Sequence, residues 1–378
     1  MTGPLSGVRV VELAGLGPAP FAGMMLADMG ADVIRVDRVT RDHEVAESTA
    51  LSEVIERGRR SIAVNLKDER GVGVVLDLVA TADALMEGFR PGVAERLGIG
   101  PAPSLARNPA LVYGRMTGWG QTGPLARTVG HDVNYIALTG VLDSIGPAGG
   151  GDPVLPLNLV GDFGGGGMLL AFGLVCGIVS ARATGRGQVV DAAMVDGAAL
   201  LMAPYLARDE WGPRGTNMVD GGAHFYGVYA TADDRYVAVG ALEPQFYAVF
   251  LDRVGLAGAE LPEQMDREAW PRLRERVGAI FRTRTRDEWC AVFAGAETCF
   301  APVLSRDEAA ADPHLAARGT IVTRDGLRQP APAPRFDATP ATLPPPRPRP
   351  GEHGDAVLTE LGLDAAEIAT LRAAGVIG

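Results

Sequence analysis

The stretch Val8–Arg38, VRVVELAGLGPAPFAGMMLADMGADVIRVDR, decides how the first part of the chain folds. Val8 to Leu13 is mostly apolar and β-branched, bounded by Gly7 and by Ala14-Gly15, as a short buried strand is. From Phe21 to Met29 apolar residues recur at helical spacing, and Gly30 stands where such a helix ends. Val33-Ile34-Arg35-Val36 reads as a second strand that runs into Asp37-Arg38. Strand, helix, strand is a crossover unit, and its two strands lie parallel.

The alternation continues outward. Gly71 to Thr81 reads as a helix, Ala84 to Glu87 as a strand and Leu111-Val112-Tyr113 as another. An α/β fold with a parallel, doubly wound sheet follows. Gly15-Leu16-Gly17, between strand and helix and followed by Asp37, imitates a dinucleotide fingerprint. Pro20 replaces its third glycine and Pro18 lies inside the loop, so N–H groups that a pyrophosphate cradle uses are missing. The loop is read as a tight strand-to-helix turn.

From about Gly221 the texture changes. Phe225 to Tyr229, a turn at Asp233-Asp234 and Tyr236 to Val239 make an antiparallel hairpin, and helical patterns follow through Phe293. Gln329 to Gly351 is dense in proline and is expected as an extended strap. Asp364-Ala365-Ala366-Glu367 is a capping box that opens a terminal helix. The expected organisation is a large domain over 1–205, a small α+β domain over 218–325, and the strap with its helix over 326–378.

With 378 residues, 47% of them hydrophobic, the chain exceeds what one core usually spans. A net charge of −11 argues against general nucleic-acid binding but leaves room for a local basic site. Cys176, Cys290 and Cys299 are too few and too scattered for a disulfide framework or a metal site. Arg9 and Glu12 interrupt the first apolar run, so it is no signal peptide. Met168 to Ala181 is shorter than a membrane span and is read as a buried helix, giving a cytoplasmic protein without membrane insertion.

Several segments together carry a resemblance. They include Gly3-Pro4-Leu5-Ser6-Gly7, Gly30-Ala31-Asp32-Val33, Arg90-Pro91-Gly92-Val93, Met116-Thr117-Gly118-Trp119-Gly120-Gln121-Thr122-Gly123-Pro124 and Gly130-His131-Asp132. Gly161-Asp162-Phe163-Gly164-Gly165-Gly166, Asp191 to Gly197, Asp220-Gly221-Gly222-Ala223 and Glu243-Pro244-Gln245-Phe246-Tyr247 follow in order. The chain resembles the alpha-methylacyl-CoA racemases, within the CaiB/BaiF (formyl-CoA/carnitine-CoA) CoA-transferase family. The resemblance implies a Rossmann-like large domain, a smaller α+β domain and an interlocked homodimer, acting in fatty acid and lipid metabolism. It implies coenzyme A as part of the substrate, with no separate cofactor and no metal.

Inverting a centre beside a thioester needs a base on one face, an acid on the other and a holder for the enolate. Histidine titrates near neutrality, and the racemase context makes His131 the first of the pair. Asp162 is the second, on the opposite face. If His131-Asp132 opens a helix, the backbone N–H of Asp132 can serve the enolate oxygen, and its side chain can orient the site. Glu243 matches a family residue near the catalytic histidine, contributed by the other chain, and would orient the imidazole. His43, His314 and His353 read as surface positions.

Family contacts to coenzyme A map to Arg38, Val64-Asn65-Leu66-Lys67, Gly88-Phe89-Arg90, Arg96 and Gly130 with Asp132, Val133, Asn134 and Tyr135. Arginine forks suit the phosphates. Met194, Met202 and Met218 are expected near the acyl tail, for which branched fatty, sterol-derived and arylpropionyl chains all fit. His224 stands where these racemases usually carry proline, and would change substrate preference if its loop borders the acyl pocket. The rival readings are a CoA transferase with Asp132 as acyl-accepting nucleophile and a silent CoA-binding protein.

Overall fold

The opening stretch forms β1 (Arg9–Leu13), α1 (Pro18–Asp28) and β2 (Asp32–Asp37) in a computed structural model that describes residues 2–39, 49–148, 151–207 and 210–378. The helix starts three residues before the sequence pattern does. Pro18 and Pro20, read in the sequence as part of a tight turn, are suited to a first helical turn, whose N–H groups have no intrahelical acceptor. At the other end Gly30, at φ 94°, donates to the Ala27 carbonyl, and Ala31 donates to that of Leu26.

The chain continues through α2 (Ala50–Ile55), β3 (Arg59–Ala63), α3 (Glu69–Ala80), β4 (Ala84–Glu87), α4 (Val93–Arg96), α5 (Pro101–Arg107), β5 (Val112–Thr117) and α6 (Asp132–Leu138). A π-helix over Leu159–Met168 runs directly into α7 (Leu169–Thr184), followed by β6 (Gln188–Ala193) and α8 (Met194–Leu201). The six strands form one parallel sheet in the order β3-β2-β1-β4-β5-β6. Alternation along each strand feeds two cores. Val10, Val33 and Val112 meet Leu26, Leu170 and Leu174 on one face, whereas Val11, Ile34 and Tyr113 meet Val75, Leu78, Leu358 and Ile377 on the other.

Two compact units result. The first comprises 1–139, 157–202 and 319–378; the second comprises 140–156 and 203–318. Residues 140–156 and 203–205, which the sequence reading keeps in the large domain, thus cluster with the second unit, and 319–325 with the first. The second unit holds α9 (Ala203–Leu206), the antiparallel β7 (Tyr226–Ala230) and β8 (Tyr236–Gly240), α10 (Pro244–Arg253), α11 (Trp270–Phe281), α12 (Arg286–Phe293), β9 (Phe300–Pro302), α13 (Arg306–Ala311) and α14 (Pro313–Arg318). Phe225, Phe250, Trp270 and Phe281 fill its core.

A hairpin of β10 (Ile321–Arg324) and β11 (Leu327–Pro330) leads into the irregular proline strap, then α15 (Gly354–Glu360) and α16 (Ala365–Ala373). Both arms of the capping box form: Asp364 accepts from the Ala366 and Glu367 N–H groups, and Glu367 accepts from the Asp364 N–H. The tail covers the edge strand β3, with the Asn65 N–H on the Val376 carbonyl at 2.8 Å and the Gly378 N–H on that of Ala63 at 3.1 Å. An unpaired sheet edge is closed.

The apolar run read as a buried helix differs in length and exposure. Joined to the π-helix, it gives an apolar helical stretch over Leu159–Thr184, 26 residues long and so, by length and composition, long enough to cross a membrane. Leu170, Leu174, Gly177 and Ile178 bury one side against the sheet. Phe172, at 68% exposure, and Val179, at 64%, leave an apolar stripe open in the single chain.

Candidate active site

The strand order reverses between β1 and β4, and clefts open there, beyond the carboxyl ends of the strands. The loops after β1, β4 and β5 supply the walls. One groove, about 220 Å³, is lined by Leu16 and Pro18, by Gly88 to Pro91, by Met116 to Trp119, and by Gly130, His131, Tyr135 and Met194. A shallower opening shares Trp119, Gly130 and His131 with it and adds Asn134 and Leu138. A third groove, about 430 Å³, is lined by Leu13, Arg38, Val64 to Lys67, Phe89 and Val93.

His131 is the N-cap of α6, with extended backbone and an exposed side chain. Its N–H donates to Asn134 Oδ1 at 3.0 Å, and its carbonyl accepts the Asn134 N–H at 2.8 Å. The next residue turns inward. Asp132 is buried, and its Oδ1 accepts the backbone N–H of Asp162 at 2.8 Å. Burial pushes the Asp132 carboxyl above the usual range, and the neighbouring Asp162 charge adds to this.

Asp162 lies in the first turn of the π-helix, not at a cap. Its Oδ2 accepts from the Asn158 amide at 2.9 Å. A β-carbon on Gly17 would come 3.9 Å from the same oxygen, so the carboxylate sits beside the 15–18 loop, whose Leu16 and Pro18 line the groove with His131. The glycines make this approach possible. A side chain at Gly161 would place its β-carbon 2.4 Å from Asp132 Oδ1, and one at Gly197 would strike the Gly165 carbonyl. The segments of Asp132 and Asp162, far apart in sequence, therefore meet through backbone that only glycine allows.

Tyr135, one turn into α6, packs edge-on against Trp119 with ring centroids 4.7 Å apart. Burial, then the Asp162 charge, holds its phenol above the ordinary range. Of the residues expected to contact coenzyme A, Arg38, Val64, Asn65, Leu66, Lys67 and Phe89 line the third groove. Gly88, Phe89, Arg90, Gly130 and Tyr135 line the first, and Asn134 the shallow opening. Asp132 lies beneath these surfaces, Val133 projects from α6 at 38% exposure, and Arg96 is exposed on α4; none of them lines any of these three grooves. Arg38, Lys67, Arg90 and Arg96 form no ion pair among the described residues, in contrast to Arg9, Arg35, Arg57, Arg59, Arg60 and Arg115.

Glu243 belongs to the second unit, where it is the exposed N-cap of α10. Met194 lines the first groove, as expected, and Met116 joins it. Met202 caps α8, and Met218 packs on the core of the second unit. His224 is not a pocket residue of that unit: it is 1% exposed, shares a 2.7 Å hydrogen bond with Tyr247 and packs edge-on against Phe225 and Tyr247. His353, read as a surface position, is half-buried and accepts the Ser61 N–H through Nδ1 at 3.2 Å. His314 is exposed, and His43 lies outside the described residues.

Sequence reasoning missed Asn158 and Trp119 as site residues. Asn158 stands four positions before Asp162, a helical spacing, but the glycines that follow hide a helix. Trp119 sits inside a quoted motif without an assigned role.

The model of the CoA-transferase family III matches residues 5–354. Alpha-methylacyl-CoA racemase of Mus musculus is 45% identical over 374 residues, 97% of this chain and 96% of the relative. The racemase of Homo sapiens is 42% identical over 99% of this chain and 97% of its own. Among solved structures, a CaiB/BaiF family protein from Brucella suis superposes with a TM-score of 0.81 at 25% identity, over 96% of this chain and all of that one. The chain is a member of CoA-transferase family III.

Proposed function

We propose that the protein is an isomerase that interconverts (2R)- and (2S)-2-methylacyl-CoA thioesters by a two-base 1,1-proton transfer through an enolate. The observation that carries this reading is the junction of His131-Asp132 with Asp162 beside one groove, where the backbone of one base is tied to the neighbour of the other. Relatives at 42–45% identity over almost the whole chain bear the racemase name.

In the proposed reaction His131 and Asp162 address opposite faces of the α-carbon. One removes the α-proton as the thioester carbonyl becomes an enolate, and the other delivers a proton to the far face. The Asp132 N–H, first of α6 and without an intrahelical acceptor, serves the enolate oxygen. Arg38, Lys67, Arg90 and Arg96 take the phosphates of coenzyme A, while Met194 and Met116 offer an adaptable surface to the acyl chain.

The site is completed in a homodimer, in which Glu243 of one chain orients His131 of the other. A second copy also accounts for the apolar stripe Met168, Phe172 and Val179, which water would otherwise meet. This reading puts the protein in the cytoplasm and assigns the apolar helical stretch to a chain–chain contact. The transferase alternative needs Asp132 as a nucleophile, but that carboxylate is buried and engaged by the Asp162 N–H.

The test is incubation with a single 2-methylacyl-CoA enantiomer in deuterated water without acceptor. Deuterium at the α-carbon, with racemisation, is the expected result. No α-deuterium, with hydroxylamine-trappable acyl-enzyme instead, overturns the reading in favour of transfer.

A further inference from the structure

Glu87 ends β4 fully buried, although no proton-transfer step uses it. Its Oε2 accepts the Phe89 N–H at 2.6 Å, and its Oε1 accepts Arg115 Nε at 3.0 Å. Arg115, from β5 and itself buried, reaches on to Glu95 of α4 at 2.8 Å. Three side chains thereby tie β4, β5 and α4 around the loop 88–92. That loop faces both the first and the third groove: Gly88, Arg90 and Pro91 line the first, and Phe89 lines both.

We propose that Glu87 is a positioning residue whose carboxylate, through the Phe89 N–H and Arg115, holds the 88–92 loop in the shape that takes coenzyme A. The proposal rests on the acyl-CoA reading above. It also gives binding a pH dependence of definite sign. Burial raises Glu87 to about 7, and the charged groups that face it are Arg115 from β5 and Glu95 from α4, with the Tyr113 phenol beside them. Ionised, the carboxylate accepts both donors; protonated, it turns one O–H toward a donor and releases part of the clamp. Affinity for coenzyme A therefore falls as pH drops through about 7. A simple field effect has the opposite sign, since removing negative charge beneath an anionic ligand tightens binding.

The experiment titrates free coenzyme A into the full-length protein and into Glu87→Gln at pH 8 and pH 6, read by calorimetry. Protonation of the ligand enters both proteins alike, so the difference between them is the readout. At pH 8 the variant is expected to bind about tenfold more weakly, the effect of losing one hydrogen bond to a charged group. The gap closes at pH 6, and kcat for α-deuteration at saturating substrate is retained. Glu95→Gln, altered at an exposed carboxylate, tests the outer arm and is expected to give a smaller loss of the same sign. Equal affinity of wild type and Glu87→Gln at pH 8, or tighter wild-type binding at pH 6 than at pH 8, overturns the proposal. Absence of wild-type binding at both pH values instead overturns the acyl-CoA reading, and this proposal falls with it.

Discussion

At position 131 an exposed imidazole stands at the start of a helix, and at position 162 a carboxylate is held by the amide one turn before it. Each is expected to lose its own half of the reaction. His131→Ala and Asp162→Ala should each lower racemisation on the order of 10²–10⁴-fold, the usual weight of a general acid or base. Each should still exchange the α-proton of the one enantiomer that faces the surviving base. Measuring deuterium uptake separately for the two enantiomers checks this, and parent rates in both variants would refute the assignment. His224 gives a second residue-level expectation. Burial lowers it from 6.5 to about 4, so below pH 6.5 the unfolded chain binds a proton that the folded one refuses. Stability contributed by neutral His224 is present above pH 6.5 and declines as pH falls toward 4. Thermal unfolding across that window should show a decline that His224→Phe flattens.

Among the elements, the π-helix Leu159–Met168 has the most specific demand on sequence. Its wider winding and its glycines let Gly161 press on Asp132 while Gly165 meets Gly197 of α8. Gly161→Ala should therefore displace Asp132 and the Asp162 backbone together. A shift near 1 Å at a reacting group costs roughly a hundredfold, and kcat/KM is expected to fall by about that factor. A variant with unchanged kinetics would show that the contact is slack. The sequence displays the glycine run but not its winding, because a run of glycines reads as a loop until tertiary contacts close it. By the same logic the start of α1 is hidden behind Pro18 and Pro20. The terminal capping box, being purely local, was legible as written.

On the scale of the whole molecule, the proposed assembly makes a prediction that no single chain can satisfy. If Glu243 acts on His131 of the other copy, His131→Ala and Glu243→Gln proteins are each impaired as homodimers. Mixed and reassembled, they should regain activity, because one of the two sites in the hybrid carries neither change. Kinetics of the mixture after mild dissociation, with size measured in parallel, checks the point. Activity that stays at the mean of the two variants would place Glu243 in its own chain's site or outside any site.

Four strands of the parallel sheet, the hairpin of the second unit and the segments that hold His131, Asp162 and the basic residues were legible in the linear sequence, whereas β3 and β6 were not. Hydrophobic period and turn chemistry act over a few residues, and short motifs keep their spacing whatever surrounds them. Tertiary structure alone decided which of these meet. It set Asp132 under Asp162 across a glycine gap, withdrew His224 into a core, gave His353 a partner on the edge strand and left one side of α7 open. Those outcomes depend on burial and on contacts between segments distant in sequence, quantities that no local pattern encodes.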